Sequence, residues 1–240
     1  PKALKVGILG ATGAVGEQMM IVLAERNFPV AELRLFGSAR SAGTKLAFKG
    51  KEYVVEEASL ERMKGLDLLL GAADNDVAKK FLPDAAKLGV TVVDNSSAFR
   101  LDPEVPLVIP EVNPEDVKWS KGLIANPNCA TIIGLTAIAP LHRKAKVKRL
   151  IASTYQAVSG AGKGGIDELE AEVKAPAGTP APCKVFPYPI AYNLIPQIGG
   201  FNDEGYTSEE MKMQNEGRKM LHDETIRFAC TCVRVPIIRS

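Results

Sequence analysis

Short β-branched apolar runs alternate with amphipathic stretches through the first half of the chain. The run LKVGIL at 4–9 enters GATGAVG, and an amphipathic stretch then continues to about Arg26, which predicts strand, glycine turn and helix. LRLF at 33–36, LDLLLGAA at 66–73, a helix from about Asp76 to Leu88 and VTVVDN at 90–95 repeat the alternation. Repeated strand-helix units predict an α/β fold with a Rossmann-type, doubly wound parallel sheet over residues 1–127.

Beyond Cys129 the pattern changes. An apolar stretch predicts a helix to about Ala139, stopped by Pro140, and VKRLIASTYQAV at 147–158 predicts a long strand. GAGKGG follows, then an acidic helix from Ile166 to Lys174 and a Pro- and Gly-punctuated stretch at 176–200 without helical period. Thr207-Ser-Glu-Glu210 is a capping box opening a helix over 208–221, and IRFACTCVRVPII at 226–238 reads as a strand. Residues 128–240 therefore form a second domain of α+β type.

Composition narrows the function classes. At 240 residues the chain can bury a core without disulfide staples, and 46% hydrophobic with 24% charged residues suits a soluble globular protein with no membrane span. A net charge of +2, from 30 basic residues scattered among 28 acidic ones, gives no footprint for nucleic acid, so a small-molecule ligand is expected. Four cysteines without an export signal read as thiols, which points to the cytoplasm. Cys230 and Cys232 lack the companions of a zinc site and read as core packing; no metal is expected.

Glycines at 7, 10, 13 and 16 let the backbone approach a pyrophosphate at the positive start of the following helix, although a tight turn with close helix packing uses the same residues. At the end of the second strand an NAD site would carry an acid for the ribose hydroxyl. Here Phe36-Gly-Ser-Ala-Arg-Ser41 offers Ser38, Arg40 and Ser41 to a 2′-phosphate, which favours NADP; a solvated loop with an incidental arginine is the alternative.

In NPNCATIIG at 126–134, Asn128 is a candidate N-cap that puts Cys129 in the first helical turn, where the macrodipole favours a thiolate and free N–H groups can cradle an oxyanion. A buried structural cysteine is the competing reading. Asn95 and Ser96 follow a strand's carboxyl end, with Arg100 one short loop beyond. Glu216 and Lys219 share a helix face and suit an ammonium and an anion, or else ordinary surface pairing. Arg234 shares a strand face with Phe228, Cys230 and Cys232, and a cation on an apolar face needs an anion.

GATGAVG, SARSAG, NSSAFR, NPNCAT, STYQAVSGAG and TCVRVP, in this order, resemble the aspartate-β-semialdehyde dehydrogenases along the whole chain. The resemblance implies NADPH-dependent reduction of β-aspartyl phosphate to aspartate semialdehyde and inorganic phosphate, in lysine, threonine and methionine biosynthesis, by a cytoplasmic homodimer paired through the second domain. It implies that Cys129 forms a thioester with Gln156 orienting it. Arg100, Asn95 and Lys219 would bind phosphate, Arg234 the α-carboxylate and Glu216 the amino group. Gly10, Thr12, Gly13, Val15, Ser38, Arg40 and Ser41 match cofactor positions, and Ser159 and Gly160 match the loop beside the nicotinamide. Ala130 and Ile133 depart from the family's Ser and Gln, and Gly71-Ala-Ala-Asp74 from its usual Ala-Gly-Gly.

The family's general base is a histidine on the pattern R-V-x-x-x-x-x-H, which counted from Arg234 falls just after Ser240. His142, thirteen residues along the helix from Cys129, would lie about 20 Å away, and His222 reads as a helix-end surface residue. The expectation is a chain cut short within its second domain, binding NADP poorly and lacking normal turnover. Two competing readings are an N-acetyl-γ-glutamyl-phosphate reductase, whose usual N-P-G-C-Y-P-T differs from NPNCAT, and a noncatalytic NADP-binding fragment.

Overall fold

The computed structural model describes residues 2–176 and 178–239. The chain divides into two compact units, Pro1–Pro127 and Asn128–Ser240.

The first unit is built on one mixed sheet. Strands β1 (Leu4–Leu9), β2 (Val30–Gly37), β3 (Lys45–Phe48), β4 (Lys51–Glu57), β5 (Leu68–Gly71), β6 (Thr91–Asp94) and β7 (Leu123–Ala125) lie in the order β3-β4-β2-β1-β5-β6-β7. All neighbours are parallel except β3 and β4. Helix α1 (Ala14–Glu25) returns the chain from β1 to β2, the short α2 (Leu60–Met63) leads toward β5, and α3 (Asn75–Lys87) joins β5 to β6. The sheet grows outward from β1 in opposite directions, so right-handed crossovers place α1 and α3 on opposite faces. The reversal beside β1 is where such sheets bind ligands. The central strands run as continuous apolar stretches because both faces are covered; Val6, Ile8, Leu33 and Leu35 form a core with Met20 and Leu23 of α1.

The antiparallel edge departs from the expected all-parallel sheet. The hairpin turns on Lys49 and Gly50, both at positive φ, the geometry of a two-residue primed turn. A lysine in that role carries none of the Asn-Gly signal that marks such turns in sequence, and β3, β4 and β7 went unpredicted for want of length or turn chemistry.

The second unit contains α4 (Cys129–Ala145), β8 (Arg149–Gln156), α5 (Gly162–Lys174), α6 (Ser208–Leu221) and β9 (Arg227–Arg234). Helix α4 does not stop at Pro140. Leu135, Ala139 and His142 continue a buried stripe through it, while Pro140 sits on the exposed side and forfeits one backbone bond there. Helix α5 likewise begins earlier than expected, so that GAGKGG forms a 3-10 turn and the first helical turn rather than a loop. Strands β8 and β9 pair in parallel from Arg149↔Arg227 to Gln156↔Arg234. One face of this ribbon packs Ala152, Cys230 and Phe228 against Ala130 of α4 and Met213 of α6. The other leaves Ile151 and Tyr155 66% and 68% exposed.

Candidate active site

The glycine turn follows β1. Gly10 has φ +87°, and a Cβ there would lie 2.7 Å from the Ala72 carbonyl oxygen; one on Gly16 would lie 2.4 Å from the Gly10 oxygen. Helix α1 has Gly13 at its N-cap position and so no side-chain cap. Its first-turn amides are therefore not taken by a side chain, the arrangement that suits an anion. A cavity of about 500 Å³ is lined by Gly10, Thr12, Gly13, Ser38 and Ser41, and also by Ala72 and Ala73 of the departing Gly71-Ala-Ala stretch. Ser41 Oγ donates to the Ser38 carbonyl at 3.1 Å, which closes the loop after β2. Neither Val15 nor Arg40 lines this cavity. Glu57, at the end of β4, does, and so puts an acid beside Ser38 and Ser41 that the unrecognised hairpin hid.

The loop after β6 is organised by a buried carboxylate. Asp94 accepts from the Ser96 amide at 3.0 Å and the Ser96 hydroxyl at 2.6 Å. Burial raises the Asp94 pKa, opposed by the Ser96 bonds and by Arg100. Gly71 leaves it room, since a Cβ there would lie 2.8 Å from Asp94 Oδ1. Arg100 is buried and donates from Nε to the Asn126 carbonyl and from Nη2 to the Asn95 carbonyl, both at 2.9 Å; Asn126 Nδ2 donates to Asn95 Oδ1 at 2.8 Å. Asn95 and Arg100 are thus one locked cluster at the strand ends of the first unit.

In the second unit Asn128 is the N-cap of α4, and its Oδ1 accepts from the amides of Ala130 and Thr131. Those two amides are consequently occupied by the cap, a correction to the expected oxyanion cradle. Cys129 stands exposed at the first helical position. It opens onto a cavity of about 510 Å³ lined also by Gln156, Ser159, Gly160 and Arg234, together with Ala130 and Ile133. No histidine lines it among the described residues.

Arg234 is held from several sides. Its backbone pairs with Ile195, Nη1 donates to the Ala157 carbonyl at 2.6 Å, and the guanidinium carbon lies 6.0 Å from the Phe186 ring centroid. A Cβ on Gly160 would come within 2.8 Å of Nη1, so the glycine makes space for the guanidinium. Burial lowers the Arg234 pKa, while Glu209, Cys129 and Cys232 act in the opposite sense.

Helix α6 corrects one pair of assignments. None of Glu209, Lys212, Glu216 and Lys219 lines the cavity beside Cys129, so the pair is distinguished by its hydrogen bonds. Glu216, 2% exposed, instead accepts from the backbone amide of Asn128 at 2.7 Å. Two turns earlier Glu209 is the acid joined to Gln156. Its Oε1 accepts from Gln156 Nε2 at 2.9 Å and Asn128 Nδ2 at 2.8 Å, and its Oε2 from Lys212 Nζ at 2.9 Å. Burial pushes the Glu209 pKa up, but Lys212, Gln156 and Asn128 outweigh it and the net shift is downward. The i,i+3 spacing of Glu209 and Lys212 equals that of Glu216 and Lys219 and was the available signal. His142 is buried near the far end of α4, and His222 caps α6 at φ 50°.

A Rossmann-type unit with a cavity over its glycine turn, followed by a unit carrying an exposed helix-start cysteine, defines a dehydrogenase architecture. Residues 5–120 match the family described as semialdehyde dehydrogenase, NAD binding domain, and residues 138–240 its dimerisation domain. The chain belongs to the aspartate-semialdehyde dehydrogenase family. It is 52% identical over 238 residues to the aspartate-semialdehyde dehydrogenase of Aquifex aeolicus (strain VF5), covering 97% of this chain and 70% of that protein. Its fold superposes with a TM-score of 0.93 and 45% identity on aspartate semialdehyde dehydrogenase II of Vibrio cholerae, solved in complex with ASA, over 99% of this chain and 71% of that one. A more distant neighbour, the Candida albicans aspartate semialdehyde dehydrogenase solved with NADP, gives 0.72 at 25% identity over 99% of this chain and 69% of that one.

Proposed function

We propose that this protein is an oxidoreductase acting at the level of aspartate semialdehyde, reducing β-aspartyl phosphate with NADPH through a thioester on Cys129, a step that serves lysine, threonine and methionine synthesis. The observation that carries the reading is that Cys129, Gln156 and Arg234 line one cavity. Cys129 Sγ attacks the acyl carbon and inorganic phosphate leaves, so that the carbon is held as a thioester. Gln156, fixed by Glu209 and by Thr154 Oγ1 at 2.8 Å, orients that acyl group. Arg234 takes the α-carboxylate, and Asn95 and Arg100 are the anion ligands assigned to phosphate. Lys212 replaces Lys219, and Glu209 replaces Glu216, as the charged pair of α6 nearest this chemistry.

The residues around Gly10 suit a dinucleotide, because Gly10, Thr12 and Gly13 line the cavity there and the start of α1 has no side-chain cap. A nicotinamide cofactor bound there supplies the hydride. Ser38, Arg40 and Ser41 favour the 2′-phosphorylated form, a preference in keeping with the NADP in the Candida albicans relative. The exposed Ile151 and Tyr155 face of β8 supports pairing of two copies through the second unit.

Intact-mass measurement tests the thioester directly. Incubation with β-aspartyl phosphate without reductant is expected to add an aspartyl group at Cys129 and release phosphate, and Cys129→Ser is expected to do neither. Phosphate release without a mass gain at Cys129 would refute the mechanism.

A further inference from the structure

Between α5 and α6 the described residues form no helix or strand beyond isolated bridges, yet they carry Phe186 and Ile195, both of which touch Arg234. A segment without a ladder must satisfy its buried amides some other way. Here two glutamates one turn apart on α5 do so. Glu168, buried on the helix, accepts from Lys184 N and Val185 N with Oε2, each at 2.8 Å, and from Phe186 N with Oε1 at 3.0 Å. Glu172 Oε2 accepts from Ile190 N at 2.8 Å and Ala191 N at 2.7 Å. Consecutive amides gathered on one carboxylate form a concave nest, with charge-assisted bonds stronger than neutral ones.

The seat of Phe186 follows from that clamp. Its ring packs with Val158, Leu169, Ile190 and Ile195, and presents its face to the Arg234 guanidinium at 6.0 Å. Gly165 lets it in, since a Cβ there would lie 3.0 Å from Phe186 Cζ. Ala157 and Gly160 bound the guanidinium at Nη1. Phe186 is therefore a ring against the Arg234 guanidinium that comes from a segment with no helix or strand of its own, and the amides of that segment at 184–186 are held by Glu168.

We propose that Glu168 is a positioning residue for Arg234: by collecting the amides of residues 184–186 it seats Phe186 under the guanidinium and thereby sets recognition of the substrate α-carboxylate. This rests on the assignment of Arg234 to that carboxylate. The amide clamp acts on the guanidinium's orientation and touches neither the thiol nor the reacting carbon.

The test measures protection of Cys129 from iodoacetamide by aspartate semialdehyde and, separately, by 3-aminopropanal, the same amino aldehyde without its carboxylate. Glu168→Gln keeps the side chain's size but offers one acceptor oxygen, and Phe186→Leu keeps an apolar filler without a ring face. Both are expected to weaken protection by aspartate semialdehyde about tenfold while leaving that by 3-aminopropanal unchanged, the pattern also expected of Arg234→Lys. Equal losses for both aldehydes, or no loss for either, in Glu168→Gln and Phe186→Leu would overturn the positioning role. If Arg234→Lys itself fails to distinguish the two aldehydes, the carboxylate assignment falls instead, and that result is separable from the first.

Discussion

Glu209 and Gln156 are joined by a hydrogen bond of 2.9 Å, and the same glutamate oxygen accepts from Asn128 Nδ2 at 2.8 Å. One carboxylate thus ties the cap of the helix bearing Cys129 to the end of β8. Asn128 is held a second time through its backbone by Glu216. Two acids, Glu209 and Glu216, thus hold the residue that caps the nucleophile's helix.

Replacement of Glu209 by glutamine removes the charge and one acceptor while Asn128, Gln156 and Lys212 keep their donors. The expected cost is roughly 1–3 kcal/mol of stability, with alkylation of Cys129 altered in rate as its helix start loosens. The pH dependence has a definite sign. A carboxylate held below its usual value contributes stability above that value and loses it as pH falls through the folded-state pKa. The difference in Tm between parent and Glu209→Gln should be widest near neutrality and close under acid, below about 4.5, the ordinary glutamate value. A difference that widens on acidification would contradict the network.

Asp94 should behave in the opposite way. Its pKa is raised by burial, so its favourable contribution is present below the ordinary aspartate value of 3.8 and is lost as pH rises through the folded-state pKa. Relative to Asp94→Asn, the parent should gain Tm on acidification from neutral pH, on top of a constant offset from the lost Ser96 bond. Parallel thermal melts of this pair and the Glu209 pair should therefore diverge with opposite slopes.

The thiols separate by environment. Burial pushes Cys230 up to about 12, and Cys232 is raised and fully buried as well. Cys183 is exposed, but local desolvation and then Glu172 and Glu168 raise its pKa. Iodoacetamide on the native protein should label Cys129 fastest, Cys183 more slowly, and Cys230 and Cys232 only after unfolding. Peptide mapping of a time course checks the order, and early label on Cys230 would contradict the packing of β9 against α4 and α6.

What could be read from sequence depended on range. Cys129, Gln156, Ser159, Gly160 and Arg234 each sit in a short motif at a strand end or helix start, and the parallel pairing of β8 with β9 brings Gln156 opposite Arg234. Local chemistry and topology agree there. Helix α6 is different: Glu209, Lys212, Glu216 and Lys219 repeat on one stripe, and which turn faces Gln156 is decided by how α6 docks on the ribbon, a long-range fact absent from the period itself. The α4 error has the same origin, because Pro140's local cost is smaller than the continued burial of Ala139 and His142. The hairpin ending in Glu57 was hidden by a lysine at positive φ.

That last omission bears on cofactor choice. Ser38 and Ser41 line the cavity beside the glycine turn, but Glu57 lines it too and Arg40 does not. An acid near a 2′-phosphate repels it, and two charges a few ångströms apart near a surface interact by about 1 kcal/mol or more, enough for a several-fold effect. Two opposing influences are expected: Arg40, in the same loop as Ser38 and Ser41, would favour NADPH, and Glu57 would restrain that preference by disfavouring the phosphate and offering an acceptor to a free ribose hydroxyl. Glu57→Gln should raise the ratio of NADPH to NADH affinity several-fold, and Arg40→Ala should lower it by about tenfold, read from titrations of cofactor fluorescence at fixed salt. The two effects should add in the double variant, because each acts on the phosphate rather than on the other residue. An unchanged ratio in Arg40→Ala would remove the basis for the NADP preference, whereas an unchanged ratio in Glu57→Gln alone would leave that preference standing and show that the carboxylate faces solvent.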